Sequence, residues 1–334
     1  MKLEMRAEKL YPGSLNGCLR PALRAVGIDW SPEYLKGYLG RAFAFAMRPD
    51  GSYLDQTDAF DWAHFWEMLD ELEWESIEAV GKGEQAVSEE EYAQVQKRAW
   101  DAVRKSIDEG RPAISWQMYE GTLDQVPWLW SLIVGYDEQA GTYIATHPTG
   151  FSFEIAWDGY VSHGDEWFVV MFIPEQTKPF DAVAANRKAV KRAVEASEGM
   201  YPGVPTGEGY EGIYPHNTAA AHGLAAWEMW LQAFDAGTVS VGDIPGHARF
   251  LADARASAAM YLTEIADLYP EMARERLLAA SKAYDEVADA GRDLQDSYQA
   301  DHKPDLRKGG VLLERGLQAE REALQNLAEA LATM

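Results

Sequence analysis

The sequence predicts an α+β domain followed by an all-α helical bundle. Three observations carry this. Short amphipathic helices occupy residues 18 to 110, five β-rich segments with turn signals follow, and beyond about residue 180 strand signal nearly vanishes while helical periodicity continues. Helices first and an antiparallel sheet second is the layout of an α+β domain. Helices joined by short connections favour an antiparallel bundle. The predicted boundary lies at 178, giving domains 1–178 and 179–334.

The elements follow in order. In "CLRPALRAVG" Leu19, Leu23 and Val26 repeat with helical spacing, and Gly27 can end the run. "SPEYLKGYLG" offers Ser31 as a cap with Pro32 in the first turn. "RAFAFAM" alternates like a strand. "DAFDWAHFWEMLDELEW" is amphipathic, and "SEEEYAQVQKRAWDAVRKSIDEG" adds a Ser88 cap, acids in the first turn and Gly110 near its end. "AISWQMY", "LWSLIVGYD", "TYIATHP", "FSFEIAW" and "EWFVVMFIP" then read as five strands, with "DEQAG" and "HPTG" as turns.

The second domain starts with the helix "NRKAVKRAVEASEGM" and a Gly/Pro/Tyr loop over 201–215 that lacks any phosphate-cradle signature. Four helical patterns follow, near 217–236, 246–268, 270–294 and 310–332. Leu251, Arg255, Ala258, Leu262 and Ile265 keep seam spacing, as do Leu313, Leu317, Glu320, Leu324, Leu327 and Leu331. Arg255 and Glu320 therefore sit on apolar stripes, and a buried charge needs a partner. The two are predicted to pair between helices.

Composition narrows the function. The 334 residues are 47% hydrophobic and 25% charged, as in an ordinary globular chain, and no apolar run reaches the roughly 18 residues that span a bilayer. A net charge of −24 repels nucleic acid and anionic lipid, so neither is an expected partner. A lone cysteine, Cys18, makes no internal disulfide, and the expected compartment is the cytoplasm. No cofactor signature is present, and the histidines form no metal-ligand spacing. Trp116, Trp128, Trp130 and Tyr136 are candidates to line an aromatic cleft, although aromatic residues more often fill cores.

Cys18 carries the chemical question. A thiol becomes a nucleophile when a helix N-terminus stabilises its thiolate. Cys18 stands where the first helix is expected to begin, and Asn16 and Gly17 before it allow close backbone approach. The backbone around Asn16–Cys18 could hold an oxyanion. A cysteine-started helix packed on a sheet that supplies a histidine is the papain-type design. The bland alternative is a small, buried, inert side chain.

The pieces "GCLRPALRAVGIDWSPEYLKGYLGRAFAF", "SIDEGRPAISW" and "SLIVGYDEQAGTYIATHP" resemble the papain-fold, C39-peptidase-like domains typified by the butirosin biosynthesis acyltransferase family. The likeness covers about the first 175 residues; "HGLAAWEMWLQAF", "ARASAAMYL" and "ERGLQAEREAL" resemble bacterial relatives over the bundle. The resemblance implies a papain-like fold and Cys18 as nucleophile. It also implies a histidine before the "VxGYD"-like strand and an aspartate before the proline of the next. This chain departs at both places: Leu129 and Trp130 stand at the first and His147 at the second. His147 is then the remaining candidate base for Cys18.

Three readings follow. The first is a cysteine amidohydrolase or acyltransferase acting on a small amide, thioester or peptide-like substrate through Cys18, His147 and the Asn16–Cys18 backbone. The second is a non-catalytic small-molecule-binding protein with an aromatic cleft beside Cys18, closed by the 201–215 loop. The third places the work in the bundle, where an exposed apolar face would form a homodimer.

Overall fold

A computed structural model describes residues 1–10, 13–47, 62–81, 86–116, 118, 129–159, 167–175, 178–198, 221–299 and 305–334. Along the chain run α1 (Ser14–Ala25), α2 (Pro32–Tyr38), β1 (Ala46–Met47), α3 (Trp62–Asp70), β2 (Glu75–Val80) and α4 (Glu89–Asp108). They are followed by β3 (Ala113–Trp116), β4 (Trp130–Asp137), β5 (Thr142–Thr146), β6 (Ser152–Ala156) and β7 (Trp167–Phe172). The remainder is α5 (Ala182–Ser197), β8 (Ala221–His222), α6 (Gly223–Ala236), α7 (Ile244–Ala266), α8 (Glu271–Gln299) and α9 (Leu306–Leu331). The fold is mixed α and β, with an antiparallel sheet and a C-terminal helical region.

Two compact units result. Among the described residues the first takes Met1–Pro32 and Leu69–Phe180, and the second takes Glu33–Met68 and the chain from Asp181 on. The split near 180 lies beside the predicted boundary, but residues 33–68 join the helical unit.

In the α/β unit the sheet order is β2-β7-β3-β4-β5-β6, antiparallel throughout. The five predicted strands are present. A sixth, β2, lies at the edge and was not read as a strand: only Ile77 and Ala79 face the core, too short an alternation to stand out. Helix α4 covers one face. Its Ser88 cap accepts from the Glu91 N–H, Glu89, Glu90 and Glu91 meet the positive helix end, and Gly110 at φ 84 lets the chain turn away. Val95, Ala99, Trp100, Val103 and Ile107 of α4 pack against Ala113, Ile133, Tyr143, Ala145, Phe168 and Val170 of the sheet. The alternate residues Ile114, Leu132 and Met171 point the other way, and α1 packs across β3 and β4.

The helical unit is built by α7, α8 and α9, with α5 and α6 against α9. Residues 33–47 run inside it. Phe43 contacts Tyr261 and Tyr284, and Phe45 contacts Trp227 and Trp230. The "RAFAFAM" stretch is not the strand its alternation predicts: residues 41–47 are all buried, and only Ala46 and Met47 pair, with β8. Residues of α6, α7 and α8 pack on this segment and all of 41–47 is buried, so alternation marks no solvent face.

The predicted interhelical pair forms. Arg255 Nε and Nη2 donate to Glu320 Oε2 and Oε1, each at 2.8 Å, with both residues essentially without solvent exposure. Arg255 Nη1 donates to the Ala42 carbonyl at 2.8 Å and lies 3.4 Å from that of Ala44. Its guanidinium carbon is 5.6 Å from the centre of the Tyr284 ring. The fork geometry uses both carboxylate oxygens, and the spare donor N–H groups meet carbonyls of residues 42–44. No described helix is long and apolar enough to cross a membrane.

Candidate functional site

Cys18 lies inside α1 rather than at its start. The helix begins at Ser14, with Gly13 at φ 114 as its cap residue. Helical register commits the Cys18 N–H to the Ser14 carbonyl, so that amide is spent and cannot hold an oxyanion. Sequence reading missed these four residues because the helix starts behind Gly13 with no side-chain cap to mark it, and Ser14 does not cap. Its Oγ instead accepts the Trp130 N–H at 3.0 Å, tying the first turn of α1 to the start of β4. Cys18 follows Ser14 by one turn on the same face.

The thiol is sealed. Cys18 has no solvent exposure, and burial pushes its pKa well above the ordinary thiol value. This is the opposite of the shift a nucleophile needs. Among the described residues no hydrogen bond reaches its sulfur. Asn16, two residues earlier, is 2% exposed, and its Nδ2 has no partner among the described residues.

His147 sits in the tight turn after β5. Its backbone N–H donates to the Phe151 carbonyl, Gly150 closes the turn at φ 105, and the ring stacks on Phe151 at 5.0 Å. Its Nδ1 lies 2.6 Å from Thr149 Oγ1, and burial lowers its pKa. The turn does approach α1: a Cβ on Gly17 would lie 3.5 Å from Pro148 Cβ. No hydrogen bond joins His147 to Cys18. The candidate base is held instead by Thr149, a partner two residues on that spacing alone did not single out.

A segment with no role in the sequence reading lies between these two elements. The Ala7 N–H donates to Thr146 Oγ1 at 2.9 Å, and the Glu8 N–H donates to the Gly17 carbonyl at 2.8 Å. That carbonyl is free because Pro21, four residues on, has no N–H to offer it. Gly17 is required, since the Glu8 carbonyl oxygen lies 2.1 Å from where a Cβ would stand. The Glu8 carboxylate pairs with Arg20 at 2.6 Å and with Arg24. The signal that could have found this is "GCLRPALR" itself, whose Arg20 and Arg24 share one helix face with Gly17.

The four aromatic candidates do not form one cleft. Trp116 and Trp130 are cross-strand partners with ring centres 5.3 Å apart. Tyr136 stands at the far end of β4, on the α4 side; its hydroxyl donates to Asp108 at 2.7 Å and its ring packs edge-on against Trp100. Six residues of strand put it about 20 Å along β4 from Trp130. Trp128 and the 201–215 loop lie outside the described residues, as does the predicted closure over Cys18. No group of three His, Cys, Asp or Glu among the described residues is placed to hold a metal ion.

No family model matches the chain, and no curated protein matches it either.

Proposed function

We propose that this protein is a non-catalytic binding protein built on a papain-type scaffold. One observation carries the reading: the thiol at the nucleophile position is fully buried and raised in pKa, no described residue stands beside it as a base, and the candidate base is hydrogen-bonded elsewhere. A working thiol needs a stabilised thiolate and an acceptor within hydrogen-bond reach, and among the described residues Cys18 has neither. The ligand expected is a small flat aromatic or amide-bearing molecule stacking on Trp116, which is half-buried beside Trp130. The acyl-transfer reading keeps one favourable observation, the approach of the His147–Pro148 turn to α1.

Alkylation by iodoacetamide near neutral pH separates the two. The expected result is no modification of native Cys18 and full modification after denaturation. Rapid native alkylation with a depressed thiol pKa would establish the acyl-transfer reading instead.

A further inference from the structure

We propose that residues 3–8 form a displaceable strap, latched by Glu8 onto Arg20 and Arg24, that closes the space between α1 and the His147 turn. The inference rests on the reading of the α/β unit as a papain-type scaffold with its crevice closed, and it names what closes it.

The strap runs from β4 to α1. Lys2 bridges Gly135, the Leu3 N–H donates to the Val134 carbonyl at 2.7 Å, and the far end is fixed by the Ala7–Thr146 and Glu8–Gly17 bonds. The β4–β5 ladder shifts register between Ile133 and Gly135, which frees the Val134 carbonyl for this contact. The two distal anchors are the residues immediately before His147 and Cys18. The strap therefore lies across the approach from one candidate catalytic group to the other.

It is also the kind of segment that can leave. None of residues 1–10 is fully buried; Leu3 packs half-buried against the core beneath α4 and holds the first end, while the Ala7–Glu8 end is fixed by polar contacts. Segments with few buried contacts open at a small fraction of the global unfolding free energy. The Glu8 ion pairs supply the charged part of the attachment, with Arg20 and Glu8 each about one-fifth exposed. Charge-assisted hydrogen bonds in such partly desolvated positions are the strong ones. The scaffold is fitted to the strap: Gly17 leaves room for the Glu8 backbone, and Pro21 leaves the Gly17 carbonyl open to it.

The lone cysteine supplies the readout. Native iodoacetamide labelling of the full chain would be followed by intact mass, alongside amide hydrogen exchange of residues 3–8 and of α4. Glu8→Gln is expected to raise both the Cys18 labelling rate and strap exchange by about tenfold, the scale of losing charge-assisted bonds. Exchange in α4 stays at the wild-type rate. Arg20→Gln with Arg24→Gln, which removes the latch from its other side, is expected to raise labelling and strap exchange in the same way. Faster strap exchange with an unchanged Cys18 rate would overturn the strap while leaving the non-catalytic reading intact, since packing of α1 on the sheet would then be the seal. Unchanged strap exchange would overturn the latch. Labelling that tracks α4 exchange would overturn the strap as well, because it reports global unfolding. Immediate labelling of the wild type would remove both readings.

Discussion

The two units each bury one side chain that a core does not ordinarily accept, and they treat it in opposite ways. The helical unit buries the charged Arg255 and surrounds it with acceptors: both oxygens of Glu320 and carbonyls of the 42–44 segment. The α/β unit buries Cys18 and, among the described residues, gives it no polar partner. The contrast follows from what each group can do when water is withdrawn. A guanidinium cannot lose its proton, so it must be paired. A thiol escapes by staying protonated, and then packs as a small apolar residue. Burial thus demands an ion pair in one unit and keeps a thiol protonated in the other.

The largest effect that would sharpen this contrast is expected at the ion pair. Arg255→Met leaves Glu320 buried without a counterion and should cost about 3–5 kcal/mol. Adding Glu320→Leu removes the orphaned carboxylate and should recover much of the loss. Recovery should stay incomplete, because the Ala42 and Ala44 carbonyls still lack the Arg255 donor. Urea denaturation of the full chain measures each step. A single variant as stable as the wild type would show that Glu320 finds solvent, and the contrast between the units would break.

A smaller effect is expected at Cys18. Cys18→Ser places a hydroxyl in a sealed apolar site where the carbonyl one helical turn back is the acceptor its own helix offers, and should destabilise by roughly 1–3 kcal/mol. Cys18→Ala, which keeps the site apolar, should cost less. The order of the two variants in the same denaturation experiment is the test. If serine proved the milder change, the thiol pocket would be polar and the sealed-core account would be wrong.

Why one pairing was legible in the sequence and the other was not has a physical answer. Arg255 and Glu320 ride on long regular helices whose faces are fixed by a period of 3.6 residues, so a stripe read from the sequence is a direction in space. The C-terminal helices were legible for the same reason, the five strands by their β-rich runs between turn signals, and α4 by its Ser88 cap. The Cys18 neighbourhood depends on contacts that carry no period. Ser14 spends its hydroxyl on a strand amide, so no cap signal marks the turn of helix that precedes Cys18 and takes up its amide. The residue pairing with His147 lies in its own turn. The 41–47 stretch shows the converse hazard: its alternation was real, but the segment is buried against helices and pairs over two residues only.

The smallest expected effect is a pH slope at His147. Burial lowers its pKa in the folded protein, while the unfolded chain titrates near the ordinary value of about 6.5. Between those values the unfolded state binds the extra proton, so stability rises with pH there. On acidification the loss begins as the pH falls below about 6.5 and is complete once it passes the lower folded-state pKa. His147→Gln carries no titrating ring and should flatten that part of the profile. Denaturation midpoints of the wild type and the variant between pH 7.5 and 5 on the same scale, roughly one unit either side of the imidazole range, isolate the contribution from carboxylates titrating lower. A wild-type slope of the opposite sign would mean that the folded state prefers the imidazolium, as a histidine poised beside a thiolate does. The α/β unit would then hold a live charge partner near Cys18 after all, and the distinction between a paired charge and a protonated thiol would fail at its weaker end.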